Sequence, residues 1–376
     1  MSLSATASAV RLREARFDDY AAIAALESGG GLKSRADGDW QRLWTGNPVY
    51  REMRDKWPIG WVIETGEGRI AGALSNIPLR YELRGRSLLV AAGRGWTVAE
   101  DYRSYALMLM DQYFDQPNVD VFLNTTVNAQ AAQAFSVFGS RPVPAGNWSE
   151  SAFLVTGYRG FAESALRIKG APAAKALSYP AGLGLWAKEK LQAPRRAVSR
   201  EPSPAIELAA GFDERFDEFW TRLRGASLTL TGVRDRQTLE WHFGSGFHAD
   251  GEGAWLLTAP EAGALEAYAI FQRKDEPRYG LKRMRLVDFQ ALSNPQRYGA
   301  AILQRVLREC SVRGIHSLEQ VGTGLESTQW FESRAPYRRR LPHWASYYFA
   351  PDPALAAELV HPEAWSPSNF DGDASL

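Results

Sequence analysis

Val98-Ala99-Glu100-Asp101-Tyr102-Arg103-Ser104-Tyr105-Ala106-Leu107-Met108 and Ser293-Asn294-Pro295-Gln296-Arg297-Tyr298-Gly299-Ala300-Ala301 are two versions of one local design. Each reads as the end of an apolar strand, a short polar loop and the first turn of a helix. Pairing Arg103 with Gln296 sets an offset of 193 residues, and nearly the same spacing recurs along the chain. Val10 answers Ile206, Tyr20 answers Phe216, Gly72 answers Tyr268, Phe135 answers Phe331 and Trp148 answers Trp344, each 196 residues on, while Trp61 and Trp255 stand 194 apart. Such a spacing at low identity means that the order of elements is duplicated, so two copies of one fold are expected.

Working outward, each half gives the same series. FDDYAAIAAL places Tyr20, Ile23, Ala24 and Leu26 at a helical period. Strand-like runs follow (WVIE, IAGALSNIPLRYEL, SLLVAAGRGWTV), then the helix SYALMLMDQYF, the apolar strand VDVFLNTT, the helix AQAAQAFSVFG and the closing strands RPVPA and ESAFLVTG. The second half answers with AWLLTA, LEAYAIFQRK, KRMRLVDFQAL, the helix YGAAILQRVLRECSVRG, the strand SLEQVG and the strand ASYYFA. Antiparallel strands followed by strand–helix alternation define an α/β fold on mixed sheets. The expected organisation is a domain at 9–157, a helical bridge at 158–203, a second domain at 204–352 and a tail at 353–376. The closing PSNFDGDASL reads as a frayed end.

Composition excludes several classes. In 376 residues, 44 Lys and Arg balance 43 Asp and Glu, leaving +1, so no bulk field draws in nucleic acid or anionic lipid, and neither is expected as a partner. The single cysteine, Cys310, lies in the helical run LQRVLREC and reads as a buried spectator. Five histidines lack ligand spacing, so no metal is expected. Without a leader-length apolar segment at the start, a soluble cytoplasmic chain is expected.

Two signatures give the repeat a family likeness. Gln296-Arg297-Tyr298-Gly299-Ala300-Ala301 fits Q/R-x-x-G-x-G/A, a loop whose bare N–H groups and small residues let a diphosphate approach a helix start. Asn128, Ala131, Phe135 and Gly139 follow N-x-x-A-x-x-x-Y-x-x-x-G, with Phe in place of Tyr. Together, in order and duplicated, these resemble the GNAT superfamily of coenzyme A-dependent N-acyltransferases. The tandem form resembles acyltransferases of bacterial surface-polysaccharide clusters and, more distantly, the Fem-type peptidoglycan transferases. The first half departs from the pattern: Glu100 replaces a proline, Ala106 the first glycine, and Met108 a small residue where its bulk would close the pocket.

The resemblance implies direct transfer of an acyl group from acetyl-CoA to a small-molecule amine. It places coenzyme contacts at Gln296, Arg297, Gly299 and Ala301, and at Arg103 and Ser104 in the first half. Asp288, inside the apolar strand MRLVDFQAL, is a candidate base; the competing reading pairs it with Arg283 or Arg285. Tyr298 is the candidate acid, or else packs or contacts the cofactor. His242 is either a base or a buried histidine with a backbone partner. The run Tyr337-Arg338-Arg339-Arg340 reads as a solvated turn, and Trp40, Trp44, Tyr50 and Trp57 as a candidate ring-binding cluster. Three functions stay open: an acyltransferase acting through the second half, a catalytically silent tandem module, and an acyltransferase acting through Arg103 and Ser104. Acceptor, chain length and oligomeric state are beyond the sequence.

Overall fold

A computed structural model describes residues 10–192, 203–244, 246–247, 253–342 and 345–376. The first half runs β1 (Val10–Glu14), α1 (Tyr20–Gly29), α2 (Asp37–Thr45), α3 (Pro48–Met53), β2 (Gly60–Thr65), β3 (Ile70–Leu83), β4 (Arg86–Val98), α4 (Ala106–Phe114), β5 (Val121–Val127), α5 (Ala129–Val137), β6 (Arg141–Pro142) and β7 (Asn147–Val155). Helices α6 (Tyr158–Ile168) and α7 (Ala174–Gln192) form the bridge. The second half runs β8 (Glu207–Ala209), α8 (Arg215–Ala226), β9 (Thr231–Gly232), α9 (Arg236–Phe243), β10 (Ala254–Glu261), β11 (Ala264–Arg273), β12 (Arg283–Ala291), α10 (Pro295–Val312), β13 (Ser317–Thr323), α11 (Gln329–Glu332), β14 (Tyr337–Arg340), β15 (Ala345–Phe349) and α12 (Pro353–Leu359).

Local chemistry accounts for the elements. Asn47 accepts from the Val49 and Tyr50 amides and starts α3 ahead of Pro48 at its first position. Asp235 accepts from the Thr238 amide and starts α9. Most of β3 is buried on both faces, as its unbroken apolar run demands. Trp40, Trp44, Tyr50 and Trp57 are all buried in the first core rather than forming an exposed ring platform. The indole N–H groups of Trp44 and Trp57 both donate to the Asn76 carbonyl, at 2.7 and 3.1 Å. Cys310 is fully buried in α10, and burial pushes its thiol up to about 12.

Two mixed sheets result, one per half, but their closing strands are exchanged. The first sheet is ordered β1-β2-β3-β4-β5-β15-β6, and the second β14-β7-β13-β12-β11-β10-β8. ESAFLVTG therefore does not close the first half: β7 leaves it and pairs antiparallel with β13. ASYYFA crosses the other way and pairs with β5, with Tyr348 opposite Leu123. Residues 147–155 thus complete the second sheet and residues 345–349 the first. A strand's alternation fixes its faces but not which edge it joins.

The tail is also ordered rather than frayed. Asp371, Asp373 and Ser375 are buried. Asp371 accepts from Tyr81 Oη at 3.0 Å, and Asp373 from Thr125 Oγ1 at 2.8 Å, both in the first half. Ser375 Oγ lies 3.0 Å from His242 Nε2 in the second. A polar, Asp-rich composition hides this role because each acidic group meets a donor from a distant strand. Trp344, the repeat partner of Trp148, lies outside the described residues. Among them, no helix is long and apolar enough to cross a membrane.

Candidate active site

In each half, two parallel strands pair and then part. β4 and β5 pair from Val90 to Ala92 against Val121 to Leu123; β12 and β13 pair from Arg283 to Leu286 against Ser317 to Gln320. Each leading strand carries a bulge near its gap: the β3–β4 register slips between Ala73 and Ser75, and the β11–β12 register between Ile270 and Phe271.

The first gap is built around a lone carboxylate. Gly95, in the β4 bulge, has φ +67°, a region that favours glycine. A Cβ there would lie 2.4 Å from Glu27 Oε1, so the missing side chain lets α1 bring its carboxylate onto the backbone of β4. Glu27 follows Ile23 by one helical turn, and the two residues are only 4% and 2% exposed. Burial raises the Glu27 pKa above its ordinary value, with Arg94 and Arg35 pulling it back. Among the described residues, Glu27 has no hydrogen-bond or ion-pair partner. Arg35 Nε, Arg94 Nε and Thr97 Oγ1 are likewise buried without a partner. Burial, with Arg94 second, lowers the Arg35 pKa. Three charges surround this gap without closing on one another.

Beside them a cleft of about 180 Å³ opens between the halves, lined by Arg35, Asp39, Arg42, His242, Gln272 and Ser375 among others. Gln272 Oε1 and His242 Nδ1 are buried there without a partner. Burial, reinforced by Arg234, lowers His242 to about 3, so the ring stays neutral near neutral pH and is no base there. Its side-chain partner is Ser375, where the sequence reading expected a backbone group.

Toward α4, Trp96 donates from Nε1 to the Ala106 carbonyl and packs on Phe135. Asn128 Oδ1 accepts from the Ala131 amide and starts α5. A 3-10 turn, Glu100–Tyr105, leads into α4, with Arg103 and Ser104 on its exposed side. Met108 and Leu107 are 38% and 48% exposed, so the bulk expected to close this pocket turns outward.

The second gap is filled. Asn369 Nδ2 spans it, donating to the carbonyls of Leu286 and Val321 at 3.4 and 3.0 Å. Asp288 is a structural counter-ion rather than a free base. Its oxygens accept from Arg234 Nε at 2.8 Å and Nη2 at 3.1 Å, and also from Tyr268, Ser368 and Gln290. Arg283 and Arg285, its expected partners, pair with Glu319 instead. Burial opposes the Arg234 charge, but Asp288 and Asp371 outweigh it and raise its pKa. Tyr298 Oη donates to Glu261 at 2.7 Å, and burial with that bond lifts the phenol to about 12, which does not suit an acid.

Gly299 owes its small size to a ring. A Cβ on it would lie 2.3 Å from Trp330, which is fully buried between Gly299 and Phe289. Ala301 is buried too, Arg297 faces Glu261 at 3.6 Å, and Gln296 alone of the four is exposed. Gly299→Ala is expected to lower stability by about 1–3 kcal/mol in urea denaturation, through overpacking, with acyl-CoA affinity unchanged. A weakened Kd at unaltered stability would restore Gly299 as a phosphate contact. Arg338 and Arg339 lie on strand β14, facing Glu332 and Glu319, not in a solvated turn.

A larger cleft of about 770 Å³ lies outside the filled gap, lined by Phe289 to Leu292, Pro295 and Leu325 among others. Among the described residues, no cluster of His, Cys, Asp and Glu is arranged to hold a metal ion.

The two mixed sheets, each with parting strands and a helix start beside its gap, form a mixed α/β fold similar to the GNAT fold of solved N-acyltransferase structures. A GCN5-related N-acetyltransferase from Anabaena variabilis aligns over 93% of this chain and 75% of its own, with a TM-score of 0.56 at 12% identity. One from Kribbella flavida aligns over 92% and 72%, with a TM-score of 0.55 at 12% identity. The N-myristoyltransferase of Saccharomyces cerevisiae, solved with bound myristoyl-CoA, aligns over 93% and 80%, with a TM-score of 0.54 at 12% identity. No family model matches the sequence, and no curated protein matches it.

Proposed function

We propose that this protein transfers an acyl group from an acyl-coenzyme A, acetyl-CoA in the first instance, to the amine of a small acceptor, and that the reaction centre lies in the first half. The observation that carries this reading is Glu27, a buried and unpartnered carboxylate held against the bulge where β4 leaves β5. Its raised pKa suits a group that accepts a proton near neutral pH. The amine nitrogen attacks the thioester carbonyl carbon, its proton passes to Glu27, and the carbon–sulfur bond breaks to release coenzyme A thiolate. With Phe135 where the family keeps a tyrosine, water protonates that thiolate, whose pKa of about 8.5 makes it a good leaving group.

The acceptor enters through the 180 Å³ cleft, and Arg35 connects cleft and gap: it lines the former and lies within electrostatic reach of Glu27. Arg35 favours a carboxylate on the acceptor, and Asp39 and Gln272 Oε1 favour its amine, so the class is an amine that also bears a carboxylate. The donor approaches by the open first turn of α4, past Ser104. A cytoplasmic setting, where acyl-CoA is available, belongs to this reading.

The 770 Å³ cleft beside Pro295 favours a second reading, in which the donor binds the second half. Calorimetric titration with acetyl-CoA and myristoyl-CoA separates the two. Binding at one site per chain, lost in Ser104→Trp and kept in Gln296→Trp, is the expected result; both positions are exposed, so folding is spared. The reverse pattern moves the donor to the second half, and no binding to either variant or the parent ends the transferase reading.

A further inference from the structure

We infer that the helical bridge seats this protein on an anionic membrane surface through the outward face of α7. An ordinary surface helix turns its large apolar side chains inward. Helix α7 does the opposite. It packs through small residues: Ser178 is fully buried, and a Cβ at Gly182 would lie 3.0 Å from the Arg159 backbone of α6. Most of its large side chains are exposed, Leu177 46%, Leu183 64%, Trp186 44% and Leu191 87%, while Tyr179, 58% exposed, stacks on the Arg159 guanidinium of α6 at 3.8 Å.

Charge identifies the occupant. Residues 158–192 hold six cations and two carboxylates, in a chain whose net charge is +1. Both carboxylates are engaged, Glu163 with Arg167 and Glu189 with the Tyr158 hydroxyl. Lys175, Lys188 and Lys190 stand exposed beside the apolar side chains. Leucines to enter the acyl boundary, Trp186 at headgroup depth, and lysines reaching phosphates are the groups a helix lying in the membrane interface uses. A second copy on this face would set like charges against each other. The balanced charge of the whole chain concealed this patch, because its excess cations are offset elsewhere.

Co-sedimentation of the full chain with phosphatidylserine–phosphatidylcholine vesicles, against phosphatidylcholine alone, tests the inference. Binding at least about tenfold tighter to the anionic vesicles, weakening with salt, is expected. Lys175→Gln, Lys188→Gln and Lys190→Gln together should reduce it about a hundredfold, roughly fivefold for each lysine. Leu183→Glu with Trp186→Glu should abolish it while leaving the thermal melt unchanged, since neither side chain is buried. No vesicle binding overturns the inference. So does binding that the Leu183 and Trp186 variant retains, or a concentration-dependent dimer that this variant dissolves.

Discussion

Glu27→Gln is expected to lower kcat for acyl transfer by about a hundredfold to ten-thousandfold while leaving the Kd for acyl-CoA unchanged. Gln keeps the volume and the contact with Gly95 but cannot accept a proton, so the loss falls on chemistry rather than donor binding. The parent's kcat/KM should fall on the acid side with an apparent pKa above the ordinary glutamate value, because burial raises Glu27. The base works only when deprotonated, so activity is present above that pKa and is lost as pH falls through it; Glu27→Gln should erase this limb. A variant of near-parental kcat with the limb intact would remove Glu27 from the mechanism. Glu27→Asp, which keeps the carboxylate on a side chain one methylene shorter, should recover part of the rate if proton transfer is the role.

Asp288→Asn is expected to lower folding stability by about 3–5 kcal/mol, read from urea denaturation. The carboxylate and the Arg234 guanidinium are both fully buried, and Asn leaves the guanidinium with only the more distant Asp371, at 3.9 Å, as a counter-charge. Replacing both, Arg234→Met with Asp288→Leu, should restore only part of the loss, since the apolar pair needs no counter-charge but the buried Asp371 loses its cation. If Asp288 were instead the catalytic base, Asn would spare stability and abolish turnover. Activity should therefore track the folded fraction in Asp288→Asn, whereas in Glu27→Gln it should not.

The contrast between these two carboxylates shows how far the sequence reaches. Asp288 drew attention because it interrupts an apolar strand, and burial followed as expected. Its partner did not: Arg234 stands 54 residues away, and nothing in the strand's own pattern selects it over Arg283 or Arg285. Glu27 carried a readable signal, a carboxylate one turn after Ile23 on the apolar stripe of α1, yet an acidic residue near a helix end usually faces water. Gly299 matched a phosphate-binding pattern letter for letter, and Trp330 explains it by packing alone.

By itself the sequence determined the mixed α/β class and the buried Cys310 helix, and it set out a repeated order of elements that the two sheets fit. Each of these follows from periodicity and spacing, which are local along the chain. Tertiary structure alone decided that β7 and β15 change places, that the acidic tail threads between the sheets, and that the unpartnered charges collect at the first gap while the second is filled. Those outcomes depend on which distant edge a strand meets and which distant donor a carboxylate finds. Alternation and composition are the same for either choice, so the choice falls to whichever packing leaves the fewest buried polar groups unpaired and the fewest strand edges open.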